Sequence, residues 1–394
     1  MINKTIFNGS PKPTVGLELE LFTIDKNNLG LTNGAPKILK HFQDNNFFKE
    51  ELLQCIVEIT TDVCNHPKEL IDDIAPKINQ AINYSEKNNI QLLSMPIHPF
   101  SRVSEQSVTE NKRYLDFLDR MQWPLRRLLI TGIHVHVGVN TGEMAIAVVN
   151  GMRRYIPYLI ALSANSPYFE GEETGLCSTR TKIFQSLPNT GIPLDLTNYS
   201  EFQKLMRTLI QADSIESIRE IWWDVRPHPG YGTVEIRVCD SIPDLQVIED
   251  LAALIQALVV GLCNHYENGT QLPYLDSWII HENKWRATRY GIDAKLILDS
   301  EGNQEDITTV IKNTIFALEP EINDLQISES MDRIISRINN HHSYYGEQIK
   351  LYNKNKSFEE LISTNVEKLK NSIQRIYYIF PSLRYQPFDC EFFH

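Results

Sequence analysis

The chain of 394 residues has no GxxxxGK[ST] loop, and the two glycines of "HPGYG" (228–232) do not extend into a dinucleotide fingerprint, because Glu235 stands where the third glycine would fall. A P-loop and a Rossmann pyrophosphate turn are thereby excluded, so any nucleotide must be held without a glycine cradle. GxSxG and HExxH are also missing, and none of the six cysteines (55, 64, 177, 239, 263, 390) has CxxC spacing with another. The cysteines are therefore expected to be reduced, buried thiols.

Positive charge is in short supply. Lys and Arg number 38 against 50 Asp and Glu, a formal net charge of −12, which argues against nucleic acid as a partner. An anionic substrate would have to be drawn in locally, by Arg, Lys or metal ions. Apolar runs are short as well. "LAALIQALVVGLC" (251–263) is interrupted by Gln256 and falls below the roughly 20 residues that span a bilayer, so a buried helix is expected there. "MINKTIFNGSPKP" lacks the apolar segment of a secretory signal, which predicts a cytoplasmic protein with no membrane association and makes sequons such as that at Asn268 irrelevant. There is no internal repeat and no low-complexity tract.

Periodicity is what the sequence does offer. Strands are expected at 15–24, about 55–60, 90–96, 132–139 and 232–240. Helices are expected at 66–89, 110–122, 141–163, 199–212, 215–222 and 244–267. Beyond residue 300, "ITTVIKNTIFALEPEI", "ESMDRIISRINNHH" and "SFEELISTNVEKLKNSIQRIYYIF" each keep an apolar stripe and read as helices. The expectation is one catalytic domain over 1–394, with a core over about 12–300 and a C-terminal helical layer over about 301–394. The fold class is α+β, with helices on one face of a sheet and the other face open.

Four strands repeat one design. Val15, Leu17, Leu19 and Leu21 alternate with Gly16, Glu18 and Glu20; Ile133, Val135, Val137 and Val139 with His134, His136 and Gly138; Val57 and Ile59 flank Glu58; and Val234, Ile236 and Val238 alternate with Thr233, Glu235, Arg237 and Cys239. Same-face neighbours two apart on a strand lie about 6.5–7 Å from each other. Carboxylates at that spacing repel unless a cation lies between or beside them. Four glutamates and two imidazoles, with no thiolate, suit Mg²⁺ or Mn²⁺ better than Zn²⁺. Arg237 adds a permanent cation for phosphate or carboxylate.

Three further stretches stand out. Residues 161–193 form a long polar excursion with Arg180 and Lys182, a candidate cover for a site. "WWDVRPHP" places Asp224 and Arg226 ahead of the Glu235 strand, and "ENKWRATRYG" brings Arg286 and Arg289 close to Trp285.

"VGLELEL", "HVHVGV", "ALSANSPYFEGEETGLCSTRTKIF", "WWDVRPHPGYGTVEIRVCD" and "ENKWRATRYGIDA", in this order, closely resemble the glutamate–cysteine ligase family 2, the bacterial carboxylate–amine ligases. The resemblance covers roughly residues 12–295. It implies a glutamine-synthetase-like fold, a curved, mostly antiparallel sheet whose concave face holds ATP, metal ions and substrates. It also implies ATP-dependent ligation of the glutamate γ-carboxylate to an amine, cysteine first. It places Glu18, Glu20, Glu58, Glu235, His134 and His136 at metal-ligand positions and Arg237 and Arg180 at catalytic ones. Lys182, Arg226 and Arg286 fall in motifs near nucleotide and substrate, and a homodimer is implied. Two alternatives stand beside it: a metal-dependent hydrolase using His134 and His136, and a binding protein for ATP and amino acids without turnover.

Overall fold

Val15, Leu17, Leu19 and Leu21 are buried along one side of the strand Val15–Asp25 (β1), and Gly16, Glu18 and Glu20 are half-buried along the other. In the computed structural model, which describes residues 5–379, β1 lies inside a seven-stranded sheet. Its other strands are Phe48–Glu50 (β2), Ile56–Thr60 (β3), Ile90–Leu93 (β4), Gly132–Gly138 (β5), Val225–His228 (β6) and Thr233–Asp240 (β7). The spatial order is β6–β7–β5–β1–β3–β2, with β4 pairing the far end of β1, and every pairing is antiparallel. With the surrounding helices this is the expected α+β class.

The aliphatic face supplies the core. Leu17, Leu19, Val57, Ile59, Val135, Val137, Val234 and Ile236 are buried together with Leu70, Ile74 and Ile78 of helix Pro67–Lys87 (α1) and Leu251, Leu254 and Leu258 of helix Leu245–Glu267 (α4). Each such side chain contributes about 1.5–3 kcal/mol when fully removed from water. Helices Gly142–Met152 (α2) and Ile156–Ser163 (α3) join the same layer. Among the described residues α4 alone is long and apolar enough to cross a membrane, and it is mostly buried within the protein, as expected of a core helix. Its polar interruption has a use: the Gln256 amide donates to the Pro13 carbonyl at 2.7 Å, fastening the chain just before β1.

The C-terminal helices pack against α4 through charge as well as apolar stripes. Arg333 and Arg337 of helix Ser328–Asn339 (α6) donate to the fully buried Asp250 carboxylate at 2.8 and 2.6 Å. Helix Ser277–Tyr290 (α5) lies against α3.

Several expectations need correction. Residues 141–163 divide into α2 and α3 around a 3-10 turn at Arg153–Tyr155, and the helix expected over 307–322 divides at Leu318, ahead of Pro320. Residues 215–222 are not a helix. Only Ile218–Glu220 makes one 3-10 turn, because Trp222–Trp223 is drawn into a parallel pairing with Thr190–Gly191. The five described cysteines are free; Cys263 is only half-buried, and Cys390 lies outside the described residues. Burial pushes the five thiols up to about 12, leaving them protonated and inert.

His98 carries a pH dependence. Its ring is fully buried, accepts from the Ser101 amide at 3.0 Å through Nδ1, and therefore donates through Nε2 to the Leu29 carbonyl at 2.9 Å. Burial lowers its pKa from 6.5 to about 4. Because the folded value lies below the unfolded one, stability present above pH 6.5 is lost as pH falls toward 4. The expected loss is at most about 1.4 kcal/mol per pH unit in urea-unfolding free energy, and His98→Gln should remove this component from the pH profile.

Candidate active site

Register decides which side chains meet. Glu18 is directly opposite His134 and Glu20 opposite Glu58, while Glu235 is flanked by His136 on one side and Arg226 on the other. All six expected metal ligands therefore share one face, with Arg226 and Arg237 beside them. That face is recessed: Glu58, His134, His136, Glu235, Arg226 and Arg237 are each buried, Glu18 and Glu20 are half-buried, and a cavity of about 410 Å³ lined by Glu18, His136 and Thr233 lies against it. The polar side chains cover one another, with Phe184 lying 5.4 Å from the Arg237 guanidinium.

Glu18 is the hub. Its Oε2 is 3.0 Å from His134 Nδ1 and its Oε1 3.3 Å from His136 Nε2. Burial pushes its carboxyl up, but the two imidazoles outweigh this and hold it well below the usual carboxylate range. Thr233 orients His136 through a 3.0 Å contact to Nδ1, which turns Nε2 toward Glu18 and Glu235. Glu20 accepts from the Gly132 amide at 2.6 Å. Glu235 accepts from Arg226 Nε at 2.7 Å and lies 3.7 Å from Arg237 Nε; despite its burial these arginines keep it ionised.

Among the described residues three groups could hold a cation, each with ligand atoms within 4.8 Å of one another: Glu20, Glu51 and Glu58; Glu18, Glu58 and His134; Glu18, His136 and Glu235. Glu18 and Glu58 each serve two groups, so the sites form a row. Burial and the neighbouring glutamates raise Glu58 well above the carboxylate range, although Lys49 lies 3.8 Å away, and raise Glu51 to about 8, as expected where negative charge is gathered out of water. His136 Nε2 and Glu235 Oε1 are buried without a hydrogen-bond partner among the described residues. Carboxylate-rich donors with at most one imidazole per group fit a hard divalent cation.

No sequence pattern marks Glu51. It follows the three-residue strand β2 in a turn, where no alternation marks its direction. The other departure is a bulge. Ile236 pairs with Val135 and Cys239 with Ile133, so β7 spends three steps where β5 spends two. The extra residue reverses the faces: Cys239 joins the core, not the polar row, and Asp240 comes opposite Gly132.

Arg180 belongs to this bulge. Its Nη1 and Nη2 donate to the carbonyls of Val238 and Arg237, both at 3.1 Å. The guanidinium thus holds backbone where a reactive role was expected, although its short helix Thr179–Phe184 does lie over the sheet. The stretch 161–193 is anchored rather than free to swing at its base: the buried Asp240 carboxylate accepts from the Asn165 amide, the Ser166 hydroxyl and the Ser178 hydroxyl at 2.8–3.0 Å.

Arg286 is not brought to the glutamate row. It pairs with Glu282 at 3.0 Å and donates to the Lys295 carbonyl and Gln304, on the side of the hairpin 295–306. Two positions earlier on α5, the buried Lys284 is the residue that turns inward, binding Asp224 at 2.6 Å; the Asp224 carbonyl in turn accepts from the Arg237 amide. Lys182 is exposed, 3.3 Å from Gln185 and 5.5 Å from the Trp285 ring.

A family model described as glutamate–cysteine ligase family 2 matches residues 14–340. A Frankia casuarinae protein, provisionally named glutamate–cysteine ligase 2-1, is 39% identical over 319 residues, which cover 78% of this chain and 84% of its own. A Thermobifida fusca protein, provisionally named glutamate–cysteine ligase 2, is 34% identical over 370 residues, 92% of each chain. The crystal structure of a Francisella tularensis glutamate–cysteine ligase in complex with AMP shares the fold, with a TM-score of 0.67 over 98% of this chain and 96% of that one at 13% identity. The chain belongs to the glutamate–cysteine ligase family 2.

Proposed function

We propose, from that membership, that the protein is an ATP-dependent carboxylate–amine ligase joining the γ-carboxylate of glutamate to an amine, cysteine in the first instance. We read residues 1–394 as one catalytic unit, working in the cytoplasm as a homodimer. The observation that carries the reading is the row of three cation-holding groups, two of carboxylates with one imidazole each and one of carboxylates alone, with Arg237 at its side. Mg²⁺ or Mn²⁺ held by Glu18, Glu20, Glu51, Glu58, His134, His136 and Glu235 would supply positive charge to phosphate oxygens.

A carboxylate is a poor acyl donor, so the reaction needs activation. A γ-carboxylate oxygen of glutamate bonds to the ATP γ-phosphorus, the bond from that phosphorus to the bridging oxygen breaks, and ADP leaves with the electron pair. The amine nitrogen then bonds to the acyl carbon, the C–O bond to phosphate breaks, and the amine proton passes to a base. Both reactants in the first step are anions. The buried Arg237 offers Nε and Nη1 hydrogens that have no hydrogen-bond partner among the described residues, ready for phosphoryl or carboxylate oxygens. Arg226 and Thr233 keep Glu235 and His136 aimed at the same point. The Phe184 ring over Arg237 limits water, which would otherwise hydrolyse an acyl phosphate.

A zinc hydrolase built on His134 and His136 is disfavoured, because the two imidazoles fall in different groups among the described residues. The test is ADP release by the purified protein with Mg²⁺. ADP should appear only when glutamate and an amine are both present, with cysteine leading a panel of amino acids and amines. ATP binding without ADP release for any pair would leave a binding protein instead.

A further inference from the structure

The helical side of the molecule carries a second polar feature, unconnected with the glutamate row. A cavity of about 180 Å³ lies where the 3-10 turn Arg153–Tyr155, the start of α5 and the segment 272–275 meet. At about 30 Å³ per water molecule it has room for a small organic molecule. Leu272, Tyr274 and Ile280 give it apolar walls, and Arg153, Arg154 and Asp195 give it charge.

Arg153 is buried at 4% exposure, an unusual position for a guanidinium without full compensation. Its Nη1 pairs with Asp195 at 2.9 Å and its Nη2 donates to Ser277 Oγ at 3.0 Å, but its Nε is buried with no hydrogen-bond partner among the described residues. Arg154, half-buried beside it, makes no hydrogen bond or ion pair among the described residues. The first turn of the 14-residue helix α5 adds the positive end of its dipole. Asp195 is more than half exposed, so its carboxylate covers Arg153 from the solvent side. The Asn150 side chain fixes it there, donating to the Leu196 carbonyl at 2.7 Å and accepting from the Leu196 amide at 3.3 Å.

We propose that this cavity is a binding site for a small carboxylate with a short apolar body, its charge on Arg153 and Arg154 and its hydrocarbon part against Leu272, Tyr274 and Ile280. Asp195 occupies Arg153 in the absence of such a ligand and competes with it. The site is separate from the chemistry assigned to Glu18 and Arg237, so it stands or falls independently of the ligase reading.

Calorimetric titration of the full chain with sodium butyrate, with inorganic phosphate as the apolar-free comparison, tests it. Butyrate should bind and phosphate should bind more weakly. Arg154→Gln, which breaks no side-chain hydrogen bond or ion pair among the described residues, should weaken butyrate by about tenfold or more, the worth of a charge-assisted hydrogen bond. Asp195→Asn should tighten it, since the competing carboxylate is gone. Arg237→Gln should leave it unchanged, which separates this site from carboxylate binding at the glutamate row. No butyrate binding, butyrate binding that survives Arg154→Gln, or weakening by Asp195→Asn would each overturn the proposal.

Discussion

Glu18→Gln is expected to lower ADP release with glutamate and amine by about a thousandfold or more, on the scale of removing a group that holds transition-state charge. Glu18 donates to two of the three cation groups, so a single neutral amide removes one anionic ligand from each. Gln keeps the size of the side chain and one oxygen, and the aliphatic stem of β1 is untouched, so the fold should persist. Far-UV circular dichroism and thermal melting establish folding, and steady-state kinetics at saturating Mg²⁺ measure the loss. A folded variant with wild-type turnover would remove Glu18 from the reaction centre.

Arg237→Lys should cost about a hundredfold in kcat, with a smaller change in KM. Lysine keeps the charge but replaces the planar fork with a point charge, so the two donors without a hydrogen bond among the described residues cannot both be reproduced. Arg237 also lies 3.7 Å from the Glu235 carboxylate, whose ionisation it supports alongside Arg226. Retention of Arg226 at 2.7 Å should keep Glu235 charged in the variant, which is why kcat is expected to carry the effect. A raised KM for ATP with kcat unchanged would instead assign Arg237 to ground-state nucleotide binding.

Much of this face was legible in the sequence because a strand reports its own faces. Once Glu18, Glu58, His134 and Glu235 alternate with buried aliphatics, covering the aliphatic side with helices brings the ionisable ones to a common side. What failed to show were features without a period. Glu51 lies in a turn, and its direction is set by β2 and β3 rather than by its neighbours in the chain. The bulge at 237–238 reverses the end of β7, so strict alternation puts Cys239 on the polar side and leaves Asp240 unmarked. Arg286 and Lys284 are two apart on a helix, about 200° around its axis, so they cannot point the same way. Spacing alone did not say which one turns inward, and packing gave the inward place to Lys284. The Trp222–Trp223 pairing with Thr190–Gly191 likewise overrode a local helical pattern.

The order of strands in the sheet has a consequence for biosynthesis. Glu18 and Glu235, which belong to one cation group, are 217 residues apart in the chain (235 − 18), and β1 must wait for β5, while β5 waits for β7. An emerging polypeptide can gather the Glu20, Glu51 and Glu58 carboxylates early, but it cannot complete the row until translation has passed β7. Ribosome-bound fragments ending before residue 225 should therefore gain less protection from proteolysis on adding Mg²⁺ than the released full-length chain.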